Sequence, residues 1–325
     1  MRRRHFLILS GVAGAAWPLR AMAQTPGKTY RIGLLASRGG LDERMKALVH
    51  GLAERGFREG RNLVLDLKSA DGKVERLPGL AAEFVGSGVD AIVSFGYPAA
   101  VAAKQASTNV PIVVTGAGDP VATGLVEGLS RPGGNITGVT ELSTELSAKR
   151  LELLKSAAPG VSRVAMIWNA ADLGMTLRYQ AAEDAARVLG FKVQTLGVRE
   201  PNDFDDAFAA MTRDRPDAIL MVSDALTMLN RKRVVEFATA NRLPTIYETA
   251  APVRDGGLMS YGPSQNEIGE RAADFVARIL RGARPAEQPL EQPTKFELVI
   301  NVRAAAALGV VVSPTLLARA DEVIE

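Results

Sequence analysis

The chain has 325 residues, 47% hydrophobic and 23% charged, which suits two globular units with their own cores and excludes a disordered or fibrous protein. Its pI of about 9.2 is misleading: Arg2, Arg3, Arg4 and Arg20 lie in the first 23 residues, and without those four the 39 basic residues fall to 35 against 36 acidic ones. The near-neutral remainder gives no argument for nucleic acid. The absence of cysteine excludes disulfides, thiolate metal sites, a cysteine nucleophile and a lipidated cysteine anchor.

Residues 1–23 read as an export signal. Arg3-Arg4-His5-Phe6-Leu7 is followed by an apolar run from Ile8 to Trp17 and by Ala21-Met22-Ala23, a small-x-small cleavage site. The start resembles a twin-arginine signal, with the extra Arg2 and His5 as departures; the alternative is a general secretory signal. Either machinery delivers a soluble product to the periplasm without a lipid anchor. No later stretch approaches the roughly 20 apolar residues of a membrane span.

Strands and helices then alternate. Arg31 to Ala36 is an apolar run ending in Ser37-Arg38-Gly39-Gly40, and Leu41, Met45, Leu48 and Leu52 recur at helical spacing before Gly56. Strand Leu63 to Leu67, a helical face from Val74 to Phe84, strand Ala91 to Val93, helix Ala99 to Ala106 and strand Ile112 to Val114 follow. The stretch from Arg131 to Thr140 is expected to carry the chain from one lobe to the next, after a helix ending near Leu129, because Pro132, Gly133, Gly134 and Gly138 all oppose a helix. Beyond a short helix, Ala148 to Ser156, the alternation repeats through Trp168, the helical face Tyr179 to Leu189, strand Val193 to Val198, helix Asp203 to Thr212, strand Ala218 to Val222, helix Leu226 to Ala240 and strand Thr245 to Tyr247. The chain crosses back near Gly256 to Gly262, helix Glu267 to Leu280 docks on the first lobe, and Phe296 to Ile300 and Ala304 to Leu308 return to the second.

The two halves match. Tyr30 to Ser37 (YRIGLLAS) aligns with Ser162 to Asn169 (SRVAMIWN), Gly56-Phe57 with Gly190-Phe191, Val89 to Ser94 with Pro216 to Met221, and Val110 to Ile112 with Leu243 to Ile246, at an offset of roughly 130 residues. The expected fold class is α/β: two similar doubly wound lobes with mostly parallel sheets, residues 29–140 plus 264–294 and residues 141–263 plus 295–325, joined by three crossovers with a ligand cleft between them.

In such sheets ligands bind outside the carboxyl ends of the strands. Those ends offer Ser37, Ser94, Gly96, Tyr97, Thr115 and Asp119 from the first lobe, and Asn169, Ser223, Asp224 and Tyr247, followed by Glu248, from the second. Hydroxyls and backbone N–H groups suit a carboxylate, Asp119 or Asp224 an ammonium, and Tyr97 or Tyr247 an apolar side chain. Taken singly, the hydroxyls and acids also suit helix caps and turns, and the tyrosines a packed core. Catalytic residues, cofactors and metals are not expected. His50 sits mid-helix without a triad, Gly116-Ala117-Gly118 lacks the third glycine of a dinucleotide fingerprint, no phosphate loop is present, and Asp203, Asp205 and Asp206 fit the start of a helix.

The blocks DPVATGLVEGLSRPGGNITGVT, KRLELLKSAAPG, GGLMSYG and QPTKFELVINVRAAAALG, closing with LLARADEVIE, resemble ABC transporter substrate-binding proteins of the group related to tryptophan and tyrosine uptake. The resemblance spans the chain beyond its signal. It implies the type I periplasmic binding-protein fold, closure of the lobes on a small polar solute such as an amino acid or related carboxylate, and, as partners, a permease and an ATPase on separate chains, with the protein itself a monomer. A ligand-sensing partner of a signalling receptor and a periplasmic hydrolase are the alternatives.

Overall fold

The computed structural model describes residues 28–141 and 145–325; the segment read as an export signal lies outside them. In the first half, strands β1 (Tyr30–Ala36), β2 (Leu63–Ser69), β3 (Ala91–Phe95), β4 (Ile112–Thr115) and β5 (Ile136–Val139) alternate with helices α1 (Glu43–Glu54), α2 (Leu77–Gly86) and α3 (Tyr97–Ala106) up to β4. After α4 (Ser147–Ala157), the second half repeats the plan with β6 (Arg163–Asn169), α5 (Leu173–Val188), β7 (Lys192–Val198), α6 (Asp203–Arg213), β8 (Ala218–Met221), α7 (Ala225–Leu229), α8 (Arg231–Ala240), β9 (Thr245–Tyr247), α9 (Ala251–Arg254) and β10 (Met259–Pro263). The tail consists of α10 (Gln265–Leu280), β11 (Leu290–Glu291), β12 (Phe296–Asn301), α11 (Val302–Leu308), α12 (Pro314–Leu317) and β13 (Glu322–Ile324).

Two sheets result, ordered β11-β5-β4-β3-β1-β2 and β13-β12-β10-β9-β8-β6-β7. The run β2-β1-β3-β4-β5 in one is answered by β7-β6-β8-β9-β10 in the other, so the aligned segments occupy equivalent strands. Pairing is parallel except between β10 and β12. Each sheet is covered on both faces. Ile32, Leu34 and Leu48 lie with Ile268 and Phe275 on one side of the first sheet, while Leu35, Phe84 and Ile92 form the core on the other. Burial of both faces explains why these strands are near-continuous apolar runs. The repeat also extends to a polar detail at the opposite end of the sheets. Asp90 accepts from the Arg31 backbone N–H at 2.8 Å, and Asp217 accepts from the Arg163 backbone N–H at 2.9 Å.

The expected helix ending near Leu129 is not formed. Residues 120–130 make a series of turns, begun by Asp119, whose Oδ1 accepts from the N–H groups of Val121 and Ala122. The single helix expected from Leu226 to Ala240 is two, broken at Asn230, which closes α7 and opens α8. The stretch from Arg131 to Thr140 contributes β5 to the first sheet, and the chain leaves that sheet at Glu141.

Helix α10 lies against α1. Gly269 permits that approach, since a Cβ there would stand 2.3 Å from the Arg44 carbonyl oxygen. The contact sets Arg44 beside Gln265 and aims the start of α1 at the space between the sheets.

Candidate functional site

Between the carboxyl ends of the two sheets lies a cavity of about 890 Å³, lined from both lobes. This falls within the usual range for small-molecule pockets. Of the residues expected there from sequence, Ser37, Gly96, Tyr97, Asn169, Ser223 and Asp224 line it. Ser94, Thr115, Asp119 and Tyr247 do not. Ser94 and Thr115 are buried in the first sheet, where the Thr115 hydroxyl donates to the Ser94 carbonyl at 3.0 Å. Asp119 is committed to its turn, and Tyr247 is wholly enclosed in the core of the second lobe.

The first-lobe wall comprises the end of β1 and the starts of α1 and α3. Ser37 is 6% exposed, and its Oγ has no hydrogen-bond partner among the described residues. Next to it, Arg38 pairs with Asp42 at 2.9 Å, while Asp42 caps α1 by accepting from the Met45 N–H. Burial pushes the Arg38 guanidinium below its ordinary pKa, and Asp42 opposes that shift. Gly96 takes φ +91° at the cap of α3, a conformation open to glycine, and turns Tyr97 toward the second lobe. There Tyr97 packs against Gly174.

The second-lobe wall carries two carboxylates. Asp224 caps α7 through a reciprocal pair, its Oδ1 accepting from the Thr227 N–H while the Thr227 hydroxyl accepts from the Asp224 N–H. Its Oδ2 accepts from Asn169 Nδ2 at 2.6 Å. Asp172 caps α5, accepting from the Met175 N–H at 3.2 Å. Burial raises both acids, Asp172 to about 6 with the Asp224 charge as the next cause. The Tyr97 phenol across the cleft is raised by burial and then by Asp172. Phe95, Met175, Leu226 and Met228 supply apolar lining beside these groups.

The floor is a chain of alternating charge that sequence reading missed. Arg44 of α1 donates to Glu141 at 2.5 Å, Arg178 of α5 donates to Glu141 at 2.6 Å and to Glu248 at 3.1 Å, and Arg150 of α4 donates to Glu248 at 3.0 Å. Arg150 also reaches the Tyr261 carbonyl at 2.7 Å, and the Ser223 N–H donates to Glu248 at 3.0 Å. Gly116 makes room for the chain, since a Cβ there would strike both Arg44 and Glu141. Burial alone would raise the Glu141 pKa, but Arg44 and Arg178 hold it at about 2. Glu141 stands where the chain leaves the first sheet, so the array ties both lobes to the crossover. Among the described residues no cluster of three or more histidines and acids could hold a metal ion, and no helix is long and apolar enough to cross a membrane.

Residues 32–324 match the family model described as ABC transporter substrate binding protein. The chain belongs to that family. A relative, the tyrosine-binding protein of Clostridioides difficile (strain R20291), is 26% identical over 282 residues, covering 86% of this chain and 81% of the relative. Among solved structures, a conserved domain protein from Vibrio cholerae shares 29% identity at TM-score 0.87, covering 91% of this chain and 100% of that one. An ABC domain from Streptococcus pneumoniae in complex with L-Trp shares 26% identity at TM-score 0.85, again covering 91% of this chain and 100% of that one. The ligand-free, open structure of a substrate-binding protein with adhesive properties from Clostridium difficile also shares 26% identity and covers 91% of this chain and 99% of that one, but at TM-score 0.67. The fold is that of the type I periplasmic binding proteins. As a member of this family the chain is a solute-binding component that works with a permease and an ATPase.

Proposed function

We propose that the chain binds an amino acid between its lobes, most readily one with an aromatic side chain, and delivers it from the periplasm to an importing permease. The observation that carries this reading is the polarity of the cavity. Two raised carboxylates, buried Asp172 and partly buried Asp224, face it from the second lobe, and Ser37, Arg38 and the backbone before α3 face it from the first. An ammonium belongs on the second-lobe wall, against the carboxylates, and a carboxylate on the first-lobe wall, with Tyr97, Phe95 and Met175 beside the side chain.

The L-tryptophan complex and the ligand-free open relative are equally similar in sequence, yet this chain superposes better on the former. That difference supports a closed arrangement of the lobes here. Two contacts across the mouth fit it: Arg254 with Glu43 at 2.6 Å, and Leu229 of α7 against the turn at Gly72. Ligand that touches both walls favours closure by the difference between its affinities for closed and open forms, and the permease then recognises the closed form. Export through a twin-arginine or general signal, and action as a monomer, complete the reading.

Isothermal titration of ligand-free protein with L-tyrosine, L-tryptophan and a panel of the other amino acids tests it. One-to-one binding of at least one aromatic amino acid is expected. Absence of heat from every amino acid would overturn the assignment.

A further inference from the structure

We propose that Asp172 and Asp224 together form a single cation subsite, which takes the ligand's ammonium in exchange for a proton and rejects ligands without an amine. This inference rests on the amino-acid reading above and deepens it.

The two acids reach the cavity from different loops and are joined through one residue. Asn169 donates from its side chain to Asp224 and accepts from the Asp172 N–H at its carbonyl. Asp172 is 6% exposed, so water does little to screen it from Asp224. Among the described residues neither acid forms a salt bridge. Arg178, whose charge acts on Asp172, has its Nη atoms engaged by Glu141 and Glu248. From α3, across the cleft, the group that feels the Asp172 charge is the uncharged Tyr97 phenol. Two neighbouring carboxylates without a counter-charge, one buried and one partly buried, do not both stay ionised, and the pair retains a proton into the weakly acidic range. The raised value of about 6 for Asp172 agrees with that geometry.

The cavity holds a second sign of a missing ligand, separate from the acids. Ser37, on the opposite wall and 6% exposed, has a buried Oγ without a partner among the described residues. Ser223, next to Asp224, has an Oγ in the same condition. An ammonium brings three donors and one positive charge. It satisfies the acid pair and drives off the shared proton, whereas a deaminated analogue brings neither donors nor charge.

The test is calorimetric titration of the whole mature protein with L-tyrosine and L-tryptophan at pH 5 and pH 8, in buffers of differing ionisation enthalpy. 3-(4-Hydroxyphenyl)propanoate serves as the amine-free probe. With a group titrating near 6, affinity is expected to fall about tenfold from pH 8 to pH 5, with close to one proton released per ligand at pH 5 and almost none at pH 8. The amine-free probe is expected to bind at least about 100-fold more weakly than L-tyrosine. Asp172→Asn, which keeps a capping oxygen for α5, is expected to bind more weakly at pH 8 and to lose the pH dependence. His50, the one histidine among the described residues, lies exposed on α1 beside Glu54 and does not line the cavity, so His50→Gln leaves the profile unchanged. Equal affinity at both pH values without proton release would overturn the proposal and leave the amino-acid reading standing. Equal binding of the amine-free probe would do the same. Heat from no amino acid at either pH would overturn both.

Discussion

Two carboxylates within one cleft, Glu141 and Asp172, are about equally hidden from water, and their protons behave in opposite ways. Glu141, at the floor, is held at about 2 because Arg44 and Arg178 flank it, while Asp172, on the wall, is raised to about 6 because its acidic neighbour adds to the effect of burial. Desolvation acts on both in the same direction. What differs is whether the protein supplies the counter-charge. Where it does, the array is structural and joins the lobes; where it does not, the deficit is the one that the proposed ammonium would fill.

The largest expected effect breaks the compensated side of this contrast. Glu141→Gln leaves Arg44 and Arg178 without their shared partner, and removing one member of a buried ion pair costs about 3–5 kcal/mol. Thermal unfolding at pH 7 should register it as a large drop in Tm. The linkage has a definite sign. Glu141 titrates lower in the folded chain than its ordinary 4.5, so its contribution is present above pH 4.5 and is lost as pH falls through about 2. The variant's deficit should therefore shrink toward pH 2.

Next in size is loss of the uncompensated charge. Asp224→Ala removes a carboxylate expected to pair with an ammonium in a desolvated site, a loss of about 2–3 kcal/mol of binding energy measurable by calorimetry. It also removes the cap of α7, worth about 1 kcal/mol of stability. Unchanged affinity would remove Asp224 from the site.

Asp172→Asn sharpens the contrast because stability and binding should move apart. The folded pKa of Asp172 lies above its ordinary 3.8, so its contribution to stability is fully present below that value and is lost as pH rises through about 6. Above pH 6 the ionised acid weighs against the ligand-free fold, and the neutral amide should stabilise it by up to about 3 kcal/mol at pH 8. Denaturant unfolding at pH 8 and pH 4 should show a gain at the higher pH only. A loss of stability at pH 8 would contradict this reading of the wall.

The smallest effect belongs to the rim. Arg254 meets Glu43 across the mouth with both side chains nearly half exposed, and it also pairs with Glu322. Exposed pairs are worth about 0.2–1 kcal/mol and are screened by salt. Arg254→Ala should raise ligand dissociation rates only a few-fold in stopped-flow measurements, with the difference fading at high ionic strength.

The succession of strands along the chain and their ends were legible in the sequence because both sheets are buried on two faces and the halves repeat. YRIGLLAS and SRVAMIWN announce β1 and β6, and the polar residues that follow them, Ser37 and Asn169, reach the cavity. Ser94 and Thr115 fail for a geometric reason. They still belong to the paired strands β3 and β4, where alternate side chains point into a helix-covered face. Tyr247 fails likewise, and the informative residue was its neighbour Glu248. The charge chain was harder to foresee, since Arg44, Arg150 and Arg178 are isolated cations on helices and look like solvated surface until the lobes are brought together. Asp172 offered one signal: it precedes a helix close after Asn169 at the end of β6, which reads as a cap and becomes a ligand group only when Asp224 comes alongside.

A crystal structure of the protein with its amino acid bound tests the central claim most directly. A solute enclosed by both lobes is expected, with its amine within hydrogen-bond distance of Asp224 and Asp172 and its carboxylate toward Ser37. A solute held by one lobe alone, or one that turns its carboxylate to the acid pair, would contradict it.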